Sequence, residues 1–329
     1  MSLFLESATP RNANGTKRPA FQPHRRKMNG PAVRLALVNN MPDSALVATE
    51  RQFTRLASEA LEGALDISLF HIPSLPRGQD AKAILAQNYS PIDEMLDAEF
   101  DALIVTGNEP RAAKLDDEPY WPDLVEIVTW AQQNTAISLW SCLAAHGAVL
   151  YLDGIERQRL PRKKSGVLSC NVAEPARHGL PASLTVCHSR MNEVRTSDLL
   201  ARGYEIVSEA AGGHVDVFAK TSGSRFLFLQ GHPEYDADSL MREYRRDVGR
   251  YLNGNRETYP DVPESYFDSM TTVRMENFRV LAEKSRDMRL FESFPQATLR
   301  SGLQRKLADS ARDIFSGWMA DVGSPAPAT

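Results

Sequence analysis

The sequence has few cysteines, no long apolar run and no strong excess of either charge. Its three cysteines, Cys142, Cys170 and Cys187, form no CxxC pair and no even framework, which argues against a disulfide-stapled secreted fold. Neither an 18-residue apolar run nor the apolar core of a signal peptide is present. A net charge of −4 disfavours nucleic acid as the main partner. We therefore expect a cytoplasmic protein whose partners include neither membrane nor nucleic acid.

The seven histidines give no metal-binding pattern. His24, His71, His178 and His214 lie far apart, at spacings that match no common ligand motif. We predict that the protein binds no metal.

The composition divides the chain into three parts. A hydrophobic content of 42% and a charged content of 24% are typical of a globular protein. Residues 1–30 are poor in large apolar side chains and predict a disordered basic arm. Residues 31–263 carry the periodic patterns of the main domain. Residues 264–329 predict a C-terminal helical extension that ends in a flexible tail.

Alternating strand and helix patterns fill the first half of the chain. Strand patterns occur at 33–38, 64–72, 101–107 and 135–142, with helical spacing between them. Such alternation predicts an α/β fold, a mostly parallel sheet flanked by helices. Ligands of such sheets bind at the carboxyl ends of the strands, which is where these patterns end.

Two motifs carry the candidate chemistry. Cys142 lies where a strand pattern gives way to a helical one, in Leu-Trp-Ser-Cys-Leu-Ala-Ala-His. His232 and Glu234 lie in Gly-His-Pro-Glu-Tyr, directly after another apolar run. A thiol at a helix N-terminus, a histidine and a carboxylate that orients it form a Cys-His-Glu triad. Taken alone, Cys142 also fits a buried structural thiol, because free cysteine is among the most buried residue types.

Other motifs accompany the triad in the order that a known family has them. They are Asn40-Met41-Pro42, Thr49-Glu50-Arg51-Gln52-Phe53, the run 101–107, Tyr120-Trp121-Pro122, the run 163–167 and His188-Ser189-Arg190. With the two triad motifs, they resemble the homoserine O-succinyltransferases (homoserine transsuccinylases) of methionine biosynthesis. The resemblance covers about residues 33–263 and implies a flavodoxin-like fold similar to the class I glutamine amidotransferases.

The resemblance implies a ping-pong acyl transfer and a homodimer. Cys142 would take the acyl group from succinyl-CoA or acetyl-CoA, and a small hydroxy amino acid would remove it, with no bound cofactor. The implied roles are backbone oxyanion donors at Leu143 and Leu46, acceptor binding by Arg246 and Glu243, and an acyl-CoA or acyl pocket lined by Arg111, Lys163 and Ser189.

The chain also departs from the family pattern. The first loop, residues 41–48, lacks the family's lysines, Leu143 replaces a usual tryptophan, and Arg111 stands where succinyl users have glycine and acetyl users glutamate. The segment 264–329 extends past the end of the resemblance, which predicts an added packing or dimer element. The residues leave several alternatives open: an acetyl donor, serine or another hydroxy amino acid as acceptor, a glutamine amidotransferase-like cysteine hydrolase, and a catalytically silent relative.

Overall fold

The structure, a computed structural model, describes residues 32–323 and contains a mixed ten-stranded sheet among them. The strand order is β3-β2-β1-β4-β5-β10-β9-β8-β6-β7. The strands are β1 Ala32–Val38, β2 Ala64–His71, β3 Ser90–Pro91, β4 Ala102–Val105, β5 Ile137–Ser141, β6 Gln158–Val172, β7 Ser183–Glu193, β8 Glu205–Ala210, β9 His214–Ser222 and β10 Ser224–Leu229.

The sheet has a parallel half and an antiparallel half that meet at β10. Strands β3, β2, β1, β4, β5 and β10 pair in parallel. Strands β9, β8, β6 and β7 then continue the sheet in antiparallel pairs. The central strands β4 and β5 are buried along their whole length, as expected for parallel strands covered by helices on both faces. The predicted α/β fold with its parallel sheet is confirmed.

Helices cover both faces of this sheet. The apolar positions of the first helix recur at helical spacing, so Leu46, Phe53 and Leu56 are buried on one side. The helices are α1 Leu46–Ala60, α2 Gln79–Asn88, α3 Ile92–Leu96, α4 Trp121–Asn134, α5 Leu143–Asp153, α6 Pro175–His178, α7 Thr196–Ala201, α8 Ser239–Leu252, α9 Ser269–Lys284 and α10 Leu303–Ala320, with 3-10 turns at Met288–Ser293 and Asp321–Gly323.

The C-terminal segment is helical, and its last long helix packs into the main core. Phe315 and Trp318 of α10 belong to the same buried cluster as Leu184 and Val186 of β7. The rings of Phe315 and Phe53 of α1 lie 6.0 Å apart. Helix α9 instead packs beside α8 in a second cluster. A domain division at residue 263 stays a prediction, and the predicted arm at 1–30 lies outside the described residues.

No helix within residues 32–323 combines the length and the apolarity that crossing a membrane requires.

Candidate active site

Cys142 occupies a sharp turn between β5 and α5. Its backbone has φ 52° and ψ −113°, a conformation that residues with a side chain rarely adopt. The Cys142 N–H donates to the Leu229 carbonyl of β10 at 2.8 Å, which fixes the turn to the neighbouring strand. The side chain is partly exposed and faces a cavity. This turn therefore presents a thiol at the N-terminus of a helix, whose dipole favours a thiolate.

His232 and Glu234 form a buried pair beside this turn. His232 Nδ1 donates to Glu234 Oε1 at 2.8 Å, and the two side chains are only 6% and 4% exposed. Burial opposes a charge on His232. The charges of the Glu234 carboxylate and the Cys142 side chain nevertheless raise the pKa of His232 well above its ordinary value. The three residues of the predicted triad thus lie together, with Nε2 as the ring nitrogen left for the thiol.

The backbone on either side of His232 is held in place. Its N–H donates to the Cys187 carbonyl at 2.7 Å, across an isolated bridge to β7. The Tyr235 ring stacks on the imidazole with ring centres 4.4 Å apart. These contacts restrict both the position and the tilt of the imidazole.

Tyr235 connects the histidine to Glu243 on α8. Its hydroxyl donates to Glu243 Oε1, while Glu243 Oε2 accepts from the Ser189 hydroxyl and from Lys163 Nζ at 3.4 Å. Burial would raise the pKa of Glu243, but the Lys163 charge and these hydrogen bonds lower it. Glu243 is therefore a carboxylate, held one aromatic ring away from His232.

Asp247 is a second buried acid on the same face of α8, and the sequence reasoning did not include it. Its carboxylate lies 3.2 Å from both Lys163 Nζ and Arg246 Nη2, and 3.6 Å from Arg256 Nη1. A position four residues after Glu243 lies on the same face of a helix, which was the signal available in the sequence. All three basic side chains line the cavity, and Asp247 orients them toward it.

One cavity of about 780 Å³ joins these groups. Met41, Gly107, Cys142 and His232 all line it, as expected from strand ends that point into one cleft. Most of the predicted site residues line it as well: Cys142, Leu143, Lys163, Ser189, His232, Glu234, Glu243 and Arg246. The volume is in the range of sites that enclose a small molecule.

Two predicted site residues are absent from the lining of this cavity. The Arg111 side chain is exposed, and its backbone N–H donates to Glu118 at 2.6 Å. The Leu46 side chain is fully buried in a separate cluster with Leu85 and Tyr89. Its carbonyl accepts a hydrogen bond from Asn39 at 3.0 Å. The roles of Arg111 and Leu46 stay predictions, although neither residue lines this cavity.

Gly107, at the end of β4, adjoins the nucleophile turn instead. A methyl group on Gly107 would lie 3.0 Å from Leu143 N and 3.4 Å from Cys142 Cβ. The backbone at this position therefore approaches the turn more closely than a side chain would permit. The Leu143 N–H and the backbone at Gly107 therefore lie close together beside the Cys142 turn.

A buried polar cluster lies behind the histidine loop. Ligand-type atoms of Cys170, His188 and Asp216 lie within 4.8 Å of one another. Arg190 donates to His188 Nδ1, and His188 Nε2 lies 3.2 Å from Asp216 Oδ1. Burial, followed by the neighbouring Asp216 charge, raises the pKa of Cys170, which disfavours a thiolate ligand. The expectation of no metal stays a prediction.

His146, one turn into α5, also reaches the cavity wall. Its Nε2 lies 3.0 Å from Gln230 Oε1, and burial lowers its pKa to about 4. The ring is therefore neutral near pH 7.

Comparisons with known proteins give the family. A family model described as homoserine O-succinyltransferase matches residues 22–326. The chain is 47% identical over 310 residues to a homoserine O-succinyltransferase of Bradyrhizobium japonicum, covering 92% of this chain and 95% of the relative. A second relative with the same name, from Methylorubrum extorquens, is 45% identical over 294 residues, with 88% and 87% covered.

A solved glutamine amidotransferase of Thermotoga maritima covers 89% of this chain and 99% of its own, at 13% identity and a TM-score of 0.48. The family match extends to residue 326, so the expectation that 264–329 lies beyond the family's end was wrong. The chain belongs to the homoserine O-succinyltransferase family.

Proposed function

We propose that this protein transfers a succinyl group from succinyl-CoA to the side-chain hydroxyl of L-homoserine, a step of methionine biosynthesis. The observation that carries the proposal is the buried Glu234–His232 pair, which shares with Cys142 the wall of a cavity of about 780 Å³. The named relatives, at 44–47% identity over most of both chains, support the same reaction. No resident cofactor or metal takes part in it.

The first half-reaction uses Cys142 as the nucleophile. Its thiolate attacks the thioester carbonyl, the carbon–sulfur bond to CoA breaks, and His232 gives a proton to the departing CoA thiolate. The tetrahedral intermediate carries an oxyanion beside Leu143, the first residue of α5. A backbone N–H at that position stabilises the charge by about 3 kcal/mol.

The second half-reaction runs through the same histidine. His232 takes the proton of the acceptor hydroxyl as its oxygen attacks the acyl carbon, and Cys142 leaves as a thiolate. Glu234 holds the imidazole in the tautomer that leaves Nε2 free for both proton transfers.

The acceptor site lies on α8. Glu243 binds the ammonium group of homoserine, and Arg246 binds its carboxylate as a charge-assisted pair. The Tyr235 hydroxyl bound to Glu243 and its ring stacked on His232 support this assignment, because they put the ammonium site one ring from the base. Lys163 and Ser189 keep Glu243 ionised, since both bind its second oxygen.

The donor enters along a basic wall. Exposed cations at the cavity rim, Lys114, Arg159 and Arg250, suit the phosphates of CoA.

We propose further that the enzyme is a cytoplasmic homodimer. Sedimentation equilibrium tests the dimer, and cell fractionation tests the cytoplasmic location.

Intact-protein mass spectrometry tests the reaction directly. Mixed with succinyl-CoA and no acceptor, the wild type should gain the mass of one succinyl group, and Cys142→Ala should gain none. Adding L-homoserine should discharge the adduct faster than adding L-serine. Acylation by acetyl-CoA alone would name the other donor, and no adduct from either would overturn the acyltransferase mechanism.

A further inference from the structure

Arg157 is a cation in the cavity wall with unused hydrogen-bonding capacity. It lies between α5 and β6, next to the buried Ile155, and its side chain is half-buried and lines the cavity. Its Nη1 is buried and has no hydrogen-bond partner among residues 32–323. Burying a guanidinium nitrogen without an acceptor costs free energy of folding. A bound ligand that supplies the acceptor would offset this cost.

The other buried or half-buried cations of the cavity already have acidic partners. Lys163 binds Glu243 and Asp247, and Arg256 lies 3.6 Å from Asp247. Arg190 binds Glu193 at 3.2 Å. Their charges are matched within the protein, whereas that of Arg157 is not.

Glu118, the carboxylate whose charge acts on Arg157, is also hydrogen-bonded elsewhere. Glu118 accepts the backbone N–H groups of Arg111 and Ala112, at 2.6 and 2.7 Å. Burial lowers the pKa of Arg157, and the opposing effects of Tyr120 and Glu118 do not offset it. An anion from outside the protein would supply the missing charge.

Arg157 and the nucleophile Cys142 line the same cavity. The Cys142 charge is among those that act on the guanidinium, in a direction that raises the pKa of Arg157. The CoA phosphates lie a full pantetheine arm away from that sulfur. The terminal carboxylate of a succinyl group lies only two methylene groups beyond the acyl carbon.

We propose that Arg157 binds the terminal carboxylate of the succinyl group and so selects a dicarboxylic acyl donor over acetyl-CoA. The inference rests on the proposed function and names the residue that sets its donor specificity. A guanidinium pairs with a carboxylate through two parallel hydrogen bonds, and the cavity wall excludes competing water. The family resemblance assigned Arg111 to the acyl pocket, but the Arg111 side chain is exposed. We place Arg157 there instead.

The test compares donors in Arg157→Gln, Arg157→Lys and the matched control Arg159→Gln. The control removes an exposed cation from the same cavity, two residues along the chain. Cys142 acylation is followed by intact mass and by CoA release, with succinyl-CoA and with acetyl-CoA. For Arg157→Gln we expect kcat/KM to fall at least about 30-fold with succinyl-CoA and less than about threefold with acetyl-CoA. Arg157→Lys should recover part of the loss, and Arg159→Gln should leave the ratio of the two donors unchanged.

Three outcomes separate the alternatives. Equal losses with both donors in Arg157→Gln would overturn the inference, because a residue that binds CoA phosphate or stabilises the thiolate affects both donors alike. A donor ratio that shifts as much in Arg159→Gln would overturn it too. If succinyl-CoA does not acylate the wild type, the proposed function itself is contradicted. If the wild type is acylated, a failure in the Arg157 variants concerns donor selection alone.

Discussion

Replacing Glu234 by Gln removes one charge from the buried pair while keeping its volume. Both side chains are almost fully buried and 2.8 Å apart, so solvent screens their interaction little. Breaking such a pair costs about 3–5 kcal/mol of stability, and loss of the acid that orients a catalytic histidine lowers kcat by up to about 10⁴. Without the carboxylate, burial dominates and the pKa of His232 falls.

The assay is the pH dependence of Cys142 acylation, with thermal unfolding measured in parallel. The folded-state pKa of His232 is raised, so protonation of His232 stabilises the wild type fully below about pH 6.5, and this contribution is lost as the pH rises through the folded pKa. The Tm difference between wild type and Glu234→Gln should therefore be larger at pH 6 than at alkaline pH. The exposed Glu62→Gln serves as the chemically matched control. Activity within threefold of wild type, with an unchanged pH profile, would refute the reasoning.

Two further substitutions test the nucleophile turn. Cys142→Gly should relieve the strain of a backbone with φ 52° and raise Tm by about 2 °C over Cys142→Ala. Neither variant should form an acyl-enzyme. A lower Tm for the glycine variant would contradict the strain. Gly107→Ala puts a methyl group 3.0 Å from Leu143 N and should slow single-turnover acylation by up to about 100-fold, since small displacements of reacting groups are costly. Unchanged acylation in Gly107→Ala would show that the turn has room to move.

The sequence was most informative where local pattern and buried position coincide. The strands β1, β2, β4 and β5 were predicted within a few residues, because apolar runs determine both their type and their burial. The triad could be predicted since each member follows directly on such a strand.

What escaped prediction depends on tertiary contacts. Arg157 gains its significance from its place in the cavity wall, and no local pattern indicates an unpaired guanidinium. The position of the first loop also depends on such contacts, because the Asp43 carboxylate accepts the Gly78 N–H at 2.8 Å. The family resemblance was also predicted to end too early in the sequence. The helical spacing of α10 does not indicate that this helix packs into the main core.

The junction between the two halves of the sheet has a consequence for how the chain folds. β5 and β10 are neighbours in space, yet the whole antiparallel half lies between them in sequence. Closing so long a loop is an entropic cost that contacts repay only afterwards, which slows the formation of non-local parallel pairs. Cys142 follows one of these strands and His232 the other, so the nucleophile and its base meet only when this non-local pair forms. Catalytic competence therefore depends on a contact that the loop-closure cost delays.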